Sequence, residues 1–165
     1  MSNKNKPDEV LTILNRDARL SAEQIAKMTG RPVDEVRQSI ETYERQGIIK
    51  RYKAIVDWEK AGVEKVVAFI DVKVAPAREV GFDAVASRIS RFAEVKSVWL
   101  VSGSNDLRIS VQGEDIREIG RFVAEKLATI DGVRSTETHF MMRRYKEDND
   151  LFVDTEEDNR LLVTP

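Results

Sequence analysis

The sequence predicts an α+β chain in which an N-terminal winged helix-turn-helix is followed by a ferredoxin-like βαββαβ domain. Three observations predict it. Residues 8–46 hold three short runs with apolar residues at helical spacing, residues 65–146 alternate strand and helix patterns, and the charge balance changes sign between the two parts. With 165 residues, 41% of them hydrophobic and 34% charged, the chain can bury a core and keep a solvated surface.

The first part reads as follows. Residues 8–16 put Val10, Leu11, Ile13 and Leu14 on one broad side. Ser21-Ala-Glu-Gln24 has the form of a capping box, in which Ser21 and Gln24 satisfy the free amides of a helix start. That helix carries Ile25, Ala26 and Met28 and ends at Gly30, which tolerates the left-handed conformation of a helix end. Pro32 suits the first turn of a third helix, whose Val33, Val36, Ile40 and Tyr43 keep helical spacing until Gly47 closes it. The β-branched and aromatic run Ile48–Val56 reads as a strand, the wing. The boundaries expected are 1–56 for this domain, 57–64 for a linker, 65–146 for the second domain and 147–165 for an acidic tail or hairpin.

In the second part Lys65–Val74 reads as a half-buried strand, ended by Pro76. Phe82, Val85, Ala86, Ile89 and Phe92 recur at helical spacing. Val95–Val101 and the alternating Leu107, Ile109 and Val111 are strands joined by the turn Ser102–Asp106. A second helix spans Glu114–Ile130, and Val133–Tyr145 is the last strand. This order is the split βαβ unit.

Charge and composition narrow the function. Residues 1–60 carry 12 Lys/Arg against 10 Asp/Glu, whereas the rest carry 15 against 19, so any nucleic-acid contact belongs to the first third. The absence of cysteine excludes disulfides and thiolate metal sites. No apolar run approaches a membrane span and the polar N-terminus has no secretory pattern, so a cytoplasmic protein with no membrane partner is expected.

In a helix-turn-helix the second helix of the pair enters the major groove, about 12 Å wide, while the first braces it. Opposite its apolar stripe the third helix carries Arg31, Asp34, Gln38, Glu41, Thr42 and Arg45, with Arg37 on the flank. Gln38 suits adenine, Arg31 and Arg37 suit guanine or phosphate, and Lys50, Arg51 and Lys53 on the wing suit phosphates. The expected DNA-contacting set is therefore Arg31, Asp34, Arg37, Gln38, Thr42, Arg45, Lys50, Arg51 and Lys53. Against it, residues 34–45 hold four acids and two bases, and helical triplets also serve as protein-interaction modules.

Several segments together resemble the Lrp/AsnC, or feast/famine, family. Asp17–Gly30 resembles its first two helices, Tyr43-Glu-Arg-Gln-Gly-Ile-Ile49 the exit from its recognition helix, Ser102–Val111 its xGxxDxxxxV hairpin and Gly132–Thr138 its GVxxTxT strand. The match runs in order over residues 8–146. The resemblance implies a RAM/ACT-like second domain, homodimers paired through their sheets, assembly up to octamers, and an amino acid or similar effector bound where dimers meet. Carried over, Gly103, Asp106, Thr136 and Thr138 become effector-pocket candidates: glycine-flanked amides for a carboxylate, Asp106 for an ammonium, threonine hydroxyls for orientation. The plainer alternative is that Gly103 and Asp106 make a tight turn and the threonines are ordinary strand residues. The run Arg31–Ser39 departs from the Ser/Thr- and Arg-rich start usual in the family, which bears on affinity and operator.

Some proteins of this architecture resemble sirohaem decarboxylases, which makes a tetrapyrrole enzyme the rival class. The chain has one histidine, His139, and therefore no second imidazole for a metal pair or relay. Phosphate-binding glycine motifs are absent, the acidic residues at 148, 150 and 154 lack the spacing of a calcium loop, and Trp58 and Trp99 read as linker and core or interface residues. No cofactor, no metal and no enzymatic activity are expected. Double-stranded DNA, a small-molecule effector and further copies of the chain are the expected partners.

Overall fold

The computed structural model describes residues 7–75 and 81–153. The chain divides into two compact units, Met1–Val56 and Asp57–Pro165, each with its own apolar core.

The first unit is three helices: α1 (Glu9–Arg16), α2 (Ala22–Thr29) and α3 (Val33–Arg45). Each start and stop has a local cause. The Asp8 carboxylate accepts the Val10 amide at 2.8 Å and so caps α1. Ser21 and Gln24 form the reciprocal capping box, with bonds of 2.8 and 3.3 Å, and Gly30 ends α2 at φ +69°. Pro32 is the N-cap of α3, one position before its first turn. Val10, Ile25 and Val36, one from each helix, are fully buried at the centre, with Leu14 and Ala26 beside them.

The expected wing strand over Ile48–Val56 is not formed. Gly47 turns the chain at φ +65°, the amides of Ile48 and Ile49 return to the Tyr43 carbonyl at 2.8 and 3.1 Å, and Ile49 packs on the core. Residues 50–56 then run without strand pairing. A strand needs a neighbour to take its amides and carbonyls, and among the described residues of this unit no second strand exists.

The second unit holds β1 (Val66–Val74), α4 (Phe82–Ile89), β2 (Val95–Leu100), β3 (Leu107–Gly113), α5 (Ile116–Arg121), β4 (Val133–Phe140) and a short hairpin of β5 (Lys146–Glu147) and β6 (Asp150–Leu151). The sheet order is β2-β3-β1-β4 with every pair antiparallel, which is the split βαβ arrangement. Alternation divides the sheet into two faces. Ala68, Ile70, Val72, Leu107, Ile109 and Val111 point to the core shared with Val85, Ile89, Ile119, Phe122 and Leu127 of the helical layer. Phe92 closes that core edge-on against Phe122, with ring centres 5.5 Å apart.

Two boundaries differ from the sequence expectation. The single helix over Glu114–Ile130 is instead α5 followed by a π-helical segment, Phe122–Leu127, in which the Ala128 amide reaches the Val123 carbonyl five residues back. That wider winding lets Phe122 and Leu127, five apart, face the same core. The last strand stops at Phe140 rather than Tyr145, because its partner β1 begins at Val66 and the Met141 amide bond to Val67 is the last rung available. The chain then turns into the β5–β6 hairpin, whose two-residue turn, Asp148-Asn149, has both φ angles positive (46° and 80°), as a type I′ turn requires. The expected break at Pro76 and the tail beyond residue 153 lie outside the described residues.

Candidate functional site

The four sides of α3 do different things. Val33, Val36 and Ile40 face the core of the first unit. Glu35, Ser39 and Tyr43, four residues apart, form a stripe along which the Arg31 side chain lies. Its Nε donates to Glu35 at 2.9 Å, its Nη2 to Ser39 at 2.8 Å and its Nη1 to both oxygens of Asp8 at 3.1 and 3.2 Å. Asp8 also accepts the Tyr43 hydroxyl at 2.6 Å. Burial alone pushes the Asp8 carboxyl up, but the bonds from Tyr43, Val10 and Arg31 outweigh it and hold the group below the ordinary carboxylate value. Every guanidinium nitrogen of Arg31 is thus engaged inside the unit.

The solvent side of α3 carries Asp34, Gln38, Glu41 and Arg45, all exposed, with Thr42 half-buried beside them. Arg45 donates to the Thr42 hydroxyl at 3.3 Å. Arg37 sits on the flank toward α2, where it pairs with Glu23 and lies 3.6 Å from Asp34. Lys50, Arg51 and Lys53 are exposed on the chain after α3. The structure therefore gathers Asp34, Arg37, Gln38, Thr42 and Arg45 on one surface of α3, and turns Arg31 away to the α1 side.

In the second unit the open face of the sheet is set by register. Trp99, Arg108, Asp71 and Glu137 lie in one rung across β2, β3, β1 and β4. Asp71 is buried, at 6% exposure, and Arg108 grips it with two bonds of 2.6 and 2.7 Å. The Arg108 hydrogen bonds hold the Asp71 carboxyl below its ordinary value, with burial opposing. His139, two rungs along on the same face and opposite Phe69, brings its Nε2 to 3.7 Å from both Asp71 and Glu137. Sequence reading overlooked this pair, since an Asp and an Arg thirty-seven positions apart are joined only once the β1–β3 register is known. It also overlooked Asp8, whose signal was its place just ahead of the first apolar run.

The effector candidates separate. Gly103 lines an open concavity with Ser102, Ser104, Asn105, Arg108 and Asp71. Asp106 instead braces the strands: its carboxylate accepts the Val74 amide at 2.8 Å and its own amide donates to the Val72 carbonyl at 3.1 Å. Thr136 and Thr138 stand opposite Val72 and Ile70, on the helix side of the sheet. One chain does not bring all four together, because strand alternation puts the threonines and Arg108 on opposite faces. A second, small cleft near the linker turn is bounded by Trp58, Lys65, Met141, Arg144 and Phe152. Among the described residues no group of three or more His, Cys, Asp or Glu could hold a metal ion, and no helix is long and apolar enough to cross a membrane.

A three-helix unit presenting one polar helix, joined to a split βαβ unit, is an architecture found among transcription regulators, and this chain's relatives are among them. Residues 67–151 match the Lrp/AsnC ligand binding domain. Over 161 residues the chain is 47% identical to the HTH-type transcriptional regulator YugG of Bacillus subtilis, with 97% of each covered. An HTH-type transcriptional regulator of Pyrococcus horikoshii is 34% identical over 132 residues, 80% of this chain and 81% of that one. Among solved structures, an AsnC family regulator from Agrobacterium tumefaciens superposes with a TM-score of 0.69 at 26% identity, covering 88% of this chain and 96% of that one. A regulator from Neisseria meningitidis, solved as a complex with L-Met, shares the fold at 20% identity and a TM-score of 0.69, with 86% and 94% covered. The chain belongs to the Lrp/AsnC family of transcription regulators, and with that the enzyme reading falls away.

Two predictions follow from the charge pairs. If the solvent side of α3 meets DNA, Glu23→Gln releases Arg37 from Glu23 toward phosphate, so binding to a mixed-sequence duplex should strengthen, and the slope of log affinity against log salt should steepen by about 0.9. A salt titration checks it. For Asp71, the depressed folded value means that its stabilisation is full above the unfolded carboxylate value, near pH 3.9, and is lost as pH falls through the lower folded value. Asp71→Asn should therefore be less stable than wild type at pH 6, with the gap closing in acid; equal urea midpoints at pH 6 would refute this.

Proposed function

We propose that this regulator binds duplex DNA sequence-specifically through the solvent side of α3, and that its second unit takes an amino acid or related metabolite where dimers meet. The observation that carries the DNA reading is the surface on which Arg37, Gln38, Thr42 and Arg45 stand together, braced by two other helices. Gln38 has the geometry to take adenine bidentately, Arg37 and Arg45 suit guanine or phosphate, and the exposed Lys50, Arg51 and Lys53 suit phosphates. Asp34, in the first turn, supports the helix through its dipole and accepts from a cytosine amino group.

The effector reading rests on the hairpin concavity at Gly103 together with the L-Met complex of the Neisseria relative. Gly103, at φ +142°, opens a turn whose amides suit a carboxylate. Thr136 and Thr138 lie on the other face of the sheet, and the Asp106 carboxylate is engaged with the Val74 amide, so a ligand that meets the threonines as well as Gly103 sits between copies. A homodimer presents two α3 helices to two half-sites of a roughly palindromic operator. An effector at the contact between dimers alters their spacing.

Genomic fragments retained by the purified protein at moderate salt should share a palindromic sequence, and Arg37→Ala with Gln38→Ala should abolish its enrichment. A retained set with no common sequence would sink the specific-binding claim. Gel filtration with each common amino acid should show at least one that changes the assembly size; if none does, the sensing claim goes while the DNA claim stands.

A further inference from the structure

We infer that Asp8 and Arg31 are positioning residues for DNA reading, with Tyr43 the third member of the set, and that Arg31 touches no DNA. The inference rests on the DNA-binding reading above.

Three facts carry it. First, one carboxylate joins two helices. Asp8 is the N-cap of α1, yet it also holds Arg31, which enters α3, and Tyr43, in the last turns of α3. Second, Arg31 is used up. It runs down the α3 stripe over Glu35 and Ser39, its side chain is only 25% exposed, and no nitrogen is left to reach outward without breaking a bond inside the unit. Third, the stripe is on the wrong side for contact but the right side for control. At about 100° per residue, Glu35, Ser39 and Tyr43 are a neighbouring side of the same helix that presents Gln38 and Arg45. Rolling α3 by one side chain's width exchanges those sides, and the Asp8 link is what opposes that roll from the α1 direction. The Glu23–Arg37 pair opposes it from the α2 direction.

The consequence separates two kinds of binding. Phosphate contacts tolerate small displacements, whereas bidentate contacts to base edges do not. Loosening the Asp8 link should therefore cost sequence discrimination first and general duplex affinity hardly at all. An arginine that contacted phosphate would behave in the opposite way, weakening every duplex and lowering the salt slope.

The test uses the full chain with two duplexes, the operator it enriches from genomic DNA and a mixed sequence of equal length. Asp8→Asn keeps a good cap for α1 but removes the charge, Arg31→Ala removes the partner, and Tyr43→Phe removes one bond and keeps the ring. Circular dichroism sets a temperature at which all are folded. Expected is a loss of about tenfold in operator affinity for Asp8→Asn and Arg31→Ala, a smaller loss for Tyr43→Phe, mixed-sequence affinity within about twofold, and an unchanged salt slope. An Arg31→Ala variant that weakens both duplexes alike, with the slope reduced by about 0.9, makes Arg31 a phosphate contact and overturns the inference alone. Unchanged operator affinity in Asp8→Asn and Arg31→Ala also overturns it. A wild-type chain that prefers no sequence overturns the DNA reading, and the inference with it.

Discussion

The register of β1 is the constraint on which the second unit depends. Ala68–Val72 are paired on both edges, with Val111–Leu107 on one side and Phe140–Thr136 on the other. Because side chains alternate, a slip of one residue would send Ile70 outward and Asp71 into the apolar layer, where a carboxylate parted from Arg108 costs several kcal/mol. Register and ion pair thus enforce each other. At the end of β1 the ladder shifts between Lys73 and Val74, and Asp106 takes the Val74 amide there. That bond, with the Asp106 amide on the Val72 carbonyl, ties the β2–β3 turn to the central strand, which is why the Gly103 concavity has a defined wall.

On the proposed reading the first unit faces a different problem, that of reading DNA without much net charge. The exposed side of α3 interleaves Asp34 and Glu41 with Gln38 and Arg45, and its other arginine is neutralised by Glu23. A duplex approaching this surface gains little from counterion release, so sequence-independent binding is weak by construction. On the proposed reading what remains is discrimination at base edges, which demands that α3 be held still. The acid–base links from Asp8 and Glu23 would supply that rigidity at the expense of free cations, so the carboxylates that lower general affinity would also raise the share of binding owed to sequence.

How much of this could be read in advance follows from the range of each interaction. Helix ends were legible because Ser21, Gln24, Gly30 and Gly47 act within four residues of themselves. The strands of the split βαβ unit were legible from alternation in β1 and β3. The wing strand and the end of β4 were not, since a strand exists only as far as its partner does and the partner is set elsewhere in the chain. The π-helical segment escaped because Phe122 and Leu127 fit a helical stripe well enough to hide the extra residue. For the sites, residue type was legible and employment was not. Arg31, Arg37 and Arg45 look alike in sequence, but one is bonded on every nitrogen, one is paired with Glu23 and one donates to the neighbouring Thr42 hydroxyl.

The two faces of the sheet also set what an effector can do on the proposed reading. A ligand held wholly in the Gly103 concavity of one chain makes the same contacts whether or not chains associate, and a ligand with equal affinity for two states shifts nothing between them. Control of assembly therefore needs contacts that exist only when copies meet. On that reading Thr136 and Thr138 would be such contacts, since they face away from Arg108 and a ligand on the same chain's open face does not meet them. On the proposed reading the separation of the candidate residues within one chain is thus the condition for regulation: a pocket completed by association would give the ligand a differential affinity, and that difference alone would be available to respace the α3 helices on an operator.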